Sequence, residues 1–189
     1  MANFRRIETS LSGVLELRSK INSDTRGFFL ETYQSREFAA LGISDLFVQD
    51  NHSCSRKGVL RGLHYQLKHP QAKLCRVVTG EALDVAVDIR LGSPHFGKWT
   101  AVVLSAELQN QIYIPPGFAH GFVARTEQVH FLYKCTDFYH AGDEFGILWN
   151  DLALQIPWEI ENPMVSDKDL RLSELNSIPP ECLPTYSTG

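Results

Sequence analysis

Six strand-like runs, at 58–66, 81–90, 98–105, 111–114, 121–125 and 129–139, follow one another between glycine and proline punctuation. Short strands spaced in this way by turns close into a sandwich or a barrel. The clearest run is EALDVAVDIR at 81–90. Its period of two puts Leu83, Val85, Val87 and Ile89 on one face, and Asp84, Asp88 and Arg90 on the other with Ala82 and Ala86. Pro115-Pro116-Gly117 is a turn, since consecutive prolines cannot donate to a central ladder. Only two segments read as helix. Residues 34–41 (QSREFAAL) are alanine-rich, with Gly42 placed for a C-cap. Ser166 to Asp169, followed by Leu170-Arg171-Leu172, reads as a second, capped short helix. The predicted architecture is an all-β jelly roll or related β-barrel with short peripheral helices, one domain over residues 1–189. The Pro- and Ser-rich stretch 178–189 reads as a loosely held tail.

At 189 residues the chain can bury a core without disulfide staples. Cys54, Cys75, Cys135 and Cys182 are widely spaced and form no CxxC pair, so they read as reduced thiols of a cytoplasmic protein. No uncharged apolar run reaches the roughly 18 residues of a membrane span. The opening MANFRRIETS also lacks the apolar core of a signal peptide. The net charge is −4 and the basic residues are scattered among acids, which argues against nucleic acid as a partner. A few convergent arginines would still suffice for one diphosphate.

Several residues have the chemistry of a site. Arg61 and His64 lie in GVLRGLHYQ with opposite strand parity, and a bulge near Gly62 would turn both into one cavity. His64 is either a half-buried strand histidine or a general base, since imidazole titrates near neutral pH. Taken alone, the first reading is the better default. His120, in IPPGFAHGF, reads alone as a turn histidine facing solvent. Tyr133 shares a face with Phe131 and Cys135 and is either a core tyrosine or a proton donor. Asp169 stands three residues after Ser166, and spacing alone favours a helix-capping role. A metal is not expected at His64-Tyr65-Gln66, because glutamine is a weak ligand for a transition metal and no carboxylate follows.

In order along the chain stand DTRGFFLETY (24–33), FVQDNHS (47–53), GVLRGLHYQ (58–66), KLCRVVTGEALDVAVDIR (73–90), SPHFGKW (93–99), IPPGFAHGF (114–122), YKCTDFY (133–139), ILWND (147–151) and SDKD (166–169). With these blocks the chain resembles the dTDP-4-dehydrorhamnose 3,5-epimerase family over about residues 24–169. One departure is Ala72, where a glycine often precedes the lysine.

The resemblance implies a cupin-type jelly roll, a homodimer with N-terminal strand exchange, and a reaction without cofactor or metal. The implied reaction is epimerisation of dTDP-4-keto-6-deoxy-D-glucose at carbons 3 and 5 to dTDP-4-keto-L-rhamnose. In that reading His64 is the base, Asp169 its orienting partner, Tyr133 the acid on the opposite face, and Lys73 the cation at the developing oxyanion. The substrate-binding set is Arg26, Phe29, Glu31, Gln49, Asn51, Arg61, His120, Glu144 and Trp149, with Arg61 at the diphosphate. Relatives that invert one carbon share much of this set. A non-catalytic nucleotide-sugar binder would need the arginines but not His64, Lys73, Tyr133 and Asp169.

Overall fold

A computed structural model describes residues 3–187. Two antiparallel sheets face each other. The first runs in the order β1 (Phe4–Glu8), β2 (Leu15–Ser19), β10 (Asn110–Ile114), β7 (Lys73–Thr79), β12 (Gln128–Cys135), β5 (Gln49–Arg56). The second runs β13 (Glu144–Gly146), β6 (Leu60–Gln66), β11 (Phe118–Ala124), β8 (Glu81–Asp88), β9 (Trp99–Ser105). A two-stranded ribbon of β3 (Asn22–Asp24) and β4 (Gly27–Phe29) stands apart from both. All six runs anticipated from the sequence are strands, so the all-β jelly roll holds.

The barrel is packed in three layers. Between the sheets, Cys75, Val77, Ile112, Phe122 and Phe131 form the inner core, with Phe122 and Phe131 stacked at 4.0 Å. Outside the second sheet, Leu83, Val85, Val87 and Ile89 lie under the C-terminal segment, against Ile147, Leu154, Trp158 and Leu183. The other face of β8 looks inward, which carries Ala82, Asp84 and Ala86 into the barrel. Outside the first sheet, helix α1 (Ser35–Ala40) seats Phe38 against Phe4 and Leu17. The Gln34 side chain caps this helix, accepting from the amides of Arg36 and Glu37, and Gly42 follows at φ +90°.

Two expectations are corrected here. The stretch from 178 onwards is not loose: Leu183 is buried, the Tyr65 hydroxyl donates to the Cys182 carbonyl at 2.8 Å, and the Tyr186 amide donates to Leu91 at 2.9 Å. Arg90 lies over the rings of both Phe118 and Tyr186. Apolar anchors thus outweigh the Pro and Ser content; Thr188 and Gly189 lie outside the described residues. The second helix is only a 3-10 turn, Asp169–Arg171, too short to propagate. Within the single chain, β1 pairs with β2, from Phe4 opposite Ser19 to Glu8 opposite Leu15. The connecting turn closes locally, with the Thr9 hydroxyl donating to the Val14 carbonyl at 2.8 Å. No helix among the described residues is long and apolar enough to cross a membrane.

Candidate active site

The bulge expected in β6 is present. His120 of β11 lies opposite His64 and Phe122 opposite Arg61, so three steps along β6 match two along β11. Arg61 and His64 therefore line the same cavity. Gly62 permits the close crossing. Its φ is +121°, and a Cβ there would stand 2.5 Å from Gly121 Cα.

The cavity is a cleft of two lobes, of about 280 and 360 Å³. Gln49, Asn51, Gln71, Tyr139 and Glu144 line the first lobe. Arg61, His120, Ser166, Lys168 and Asp169 line the second. His64, Lys73 and Tyr133 line both.

His64 Nε2 lies 2.7 Å from Asp169 Oδ1. With Nε2–H donated to the carboxylate, Nδ1 keeps a lone pair. Ser166 does cap the turn, since its Oγ accepts from the Asp169 amide at 3.1 Å. The Asp169 side chain, however, does not reach back to complete a capping box. It turns to His64 and to the Gly62 amide instead. Burial pushes this carboxyl up, but the hydrogen bond and charge of His64, with the Gly62 amide and Ser166, hold it below the ordinary carboxylate value. Such a group contributes stability that is present above the ordinary carboxylate pKa and lost as pH falls through the lowered native value. Asp169→Asn is therefore expected to lower the Tm at neutral pH, with the difference closing in acid. Outer partners of metal-bound histidines are worth about 10–100-fold in activity, and a fall in kcat of at least that size is expected for this partner of a base. Thermal melts from pH 2 to 8 with parallel turnover assays check both.

Tyr133 is pushed up to about 12 by burial, reinforced by the neighbouring Cys135 and Cys75, so its phenol stays protonated at neutral pH. His120 is a strand residue, not a turn histidine: β11 begins at Phe118 and directs the imidazole inward, 2.9 Å from Asp84 Oδ2. Burial lowers the pKa of His120 and raises that of Asp84. Asp84 is the functional candidate that the sequence reading passed over. Its signal was an acid in mid-strand, flanked on its own face by Ala82 and Ala86. Lys73 forms no ion pair among the described residues, and its charge acts on both Asp84 and His120.

Gln49 and Asn51 are brought into the first lobe by β5, joined by a 3.1 Å hydrogen bond between their side chains. Glu144 accepts from the Tyr139 hydroxyl at 2.9 Å and pairs with Lys168 at 2.5 Å across the cleft mouth. Burial raises its carboxyl, but these two partners outweigh that and lower it.

Four expected residues are not brought to the cleft. Trp149 is a packing residue of the outer layer, and its carbonyl accepts from the Trp158 indole at 2.7 Å. Arg26 pairs with Asp24 at 2.5 Å, Phe29 is 69% exposed, and Glu31 accepts from Asn3. The physical reason is that β3 and β4 pair only with each other, so their ribbon is held to neither sheet.

Fold and site together define a cupin-type barrel equipped for acid–base chemistry on a small substrate. A family model described as dTDP-4-dehydrorhamnose 3,5-epimerase matches residues 8–177. The dTDP-4-dehydrorhamnose 3,5-epimerase of Shigella flexneri is 52% identical over 166 residues, 87% of this chain and 92% of the relative. A dTDP-6-deoxy-D-glucose-3,5-epimerase from Legionella pneumophila Philadelphia 1, solved with dTDP-4-keto-L-rhamnose, superposes with a TM-score of 0.96 at 49% identity. That match covers 98% of this chain and 100% of that one. A 3'-monoepimerase from Streptomyces bikiniensis, solved with dTDP-quinovose, reaches a TM-score of 0.87 at 34% identity over 94% of this chain and 91% of its own. The chain belongs to the dTDP-4-dehydrorhamnose 3,5-epimerase family and is accordingly an isomerase.

Proposed function

We propose that this cleft converts dTDP-4-keto-6-deoxy-D-glucose to dTDP-4-keto-L-rhamnose by inverting carbons 3 and 5. The observation that carries the proposal is that His64, Lys73 and Tyr133 are the three side chains common to both lobes. A sugar ring beside them has a base, a cation and an acid within one cavity. Both target carbons are α to the 4-keto group, so loss of either proton gives an enolate and the ketone itself supplies the acidity. His64 takes the proton through its free ring nitrogen while Asp169 balances the imidazolium. The C4 oxygen gains negative charge, and Lys73 with His120 stabilises it; a good donor at such an oxygen is worth about 3–4 kcal/mol. Tyr133 returns a proton to the opposite face, and the configuration inverts. In the second lobe Arg61 offers its fork of donors to the diphosphate.

The projecting ribbon completes the proposal. In a homodimer, Arg26, Phe29 and Glu31 of a second copy would close over the nucleotide end of the cleft, which accounts for the exposure of Phe28 and Phe29. The reduced cysteines support a cytoplasmic setting.

Incubation with dTDP-4-keto-6-deoxy-D-glucose and NMR of the product tests the reading. The L-lyxo configuration of the product, inverted at both carbons, is expected. Inversion at one carbon would place the chain with the monoepimerases. Thermal stabilisation by dTDP without turnover would make it a binding protein.

A further inference from the structure

Outside the cleft, two loops bring His69, Asp137 and His140 together. Their ligand-capable atoms all lie within 4.8 Å of one another. The two imidazoles stack with centroids 3.6 Å apart, and His69 Nδ1 stands 3.6 Å from Asp137 Oδ2. None of the three lines either lobe of the cleft. We propose that these residues form a binding site for Zn²⁺ or a divalent cation of similar borderline softness, at the rim of the cleft.

The donor set points to that class of ion. Two imidazoles and one carboxylate suit zinc and its neighbours, whereas magnesium and calcium select oxygen ligands. Three protein ligands leave a fourth position for water, and the site is open to it: the His69 and Asp137 side chains are 44% and 38% exposed.

The supporting structure is built from polar groups, Gln66 and Asp143 buried and Gln71 partly so, that hold the backbone, while Asp137 Oδ1 accepts from the Phe138 amide at 2.7 Å and leaves Oδ2 as the ligand atom. The Gln66 amide donates to the carbonyls of His69 and Phe138 and accepts from the His140 amide at 2.9 Å. Asp143, 4% exposed, accepts from the amides of Lys68 and His69, the latter at 2.7 Å. Gln71 donates to the Asp137 carbonyl at 2.8 Å. Each ligand-bearing residue is thus anchored through its main chain, the arrangement that positions a metal site in advance. A metal lies in the plane of each imidazole it binds, so the rings, now 12° from parallel, must splay on binding. His69 is exposed and His140 only partly buried, which allows that turn. Once bound, the ion ties together two loops whose Gln71 and Tyr139 line the first lobe.

The test is calorimetric titration of the tag-free full chain with zinc chloride, repeated on His69→Ala and His140→Ala. One equivalent is expected to bind the parent protein, and its Tm is expected to rise with zinc. Each variant should bind at least about tenfold more weakly, since even the outer partners of a metal site are worth that much. Each should also stay close to the parent Tm when no metal is added, because His69 is exposed and His140 only partly buried. Cobalt substitution should give a visible d–d spectrum in the parent and a weaker one in the variants at the same cobalt concentration. Absence of binding by the parent, or undiminished binding by either variant, overturns the proposal.

Discussion

Replacing His64 by asparagine is expected to lower kcat by roughly 10²–10⁴-fold, the span of a general base, while the barrel stays folded. Asparagine fits the strand but ends where Nδ1 stands, so the 2.7 Å contact from Nε2 to Asp169 is lost with the imidazole. Also lost is the nitrogen lone pair facing the sugar. The side chain is 27% exposed, so its replacement leaves no sealed cavity, and the Tm at neutral pH should fall by no more than in Asp169→Asn. Turnover of the keto-sugar alongside a circular-dichroism melt checks both halves. Full activity in this variant would remove His64 from the mechanism.

The second large effect is expected from Tyr133→Phe. The ring packs beside Phe131 and the substitution deletes only the hydroxyl, so the core is preserved. The fall in inverted product should again be roughly 10²–10⁴-fold, but for a different reason. His64 remains able to take the proton and hand it back on the same face. The variant should therefore exchange substrate protons with solvent while forming little product, a split that the His64 variant does not show. Because the phenol is held up to about 12, its loss of a proton produces no alkaline limb near neutrality in the parent. A Tyr133→Phe enzyme that inverts at the parental rate would assign the acid elsewhere.

Strand positions and barrel class were legible because periodicity reports burial directly, as in β8. Which face of β8 meets the inner core was not. Leu83 to Ile89 look like core residues, yet they pack outward under a C-terminal segment whose own sequence, rich in Pro and polar residues, carries no period. That same covering layer explains why residues 178–187 are packed down and why Trp149 lies in the outer layer. Asp84 faced inward for the same reason, and its partnership with His120 depends on a pairing between β8 and β11 that spans 36 positions.

The cleft itself was partly legible. Gly62 between Arg61 and His64 announced the bulge, since a side chain there has no room against Gly121. Asp169 is the opposite case: local spacing identified the Ser166 cap correctly but could not reveal that the carboxylate travels 105 positions to His64. β5 went unread as a strand because it alternates among mostly polar residues, QDNHSCSR, at a sheet edge. The first-block residues Arg26, Phe29 and Glu31 fall outside this chain's own cleft because their ribbon has no ladder to the barrel.

The central claim is that protons leave and return within the cleft that His64, Lys73 and Tyr133 share. The most direct measurement is turnover of dTDP-4-keto-6-deoxy-D-glucose in deuterium oxide, with NMR of the recovered sugar. The account predicts solvent deuterium at both carbon 3 and carbon 5 of the product. Product formed with its original protons at those carbons would contradict it.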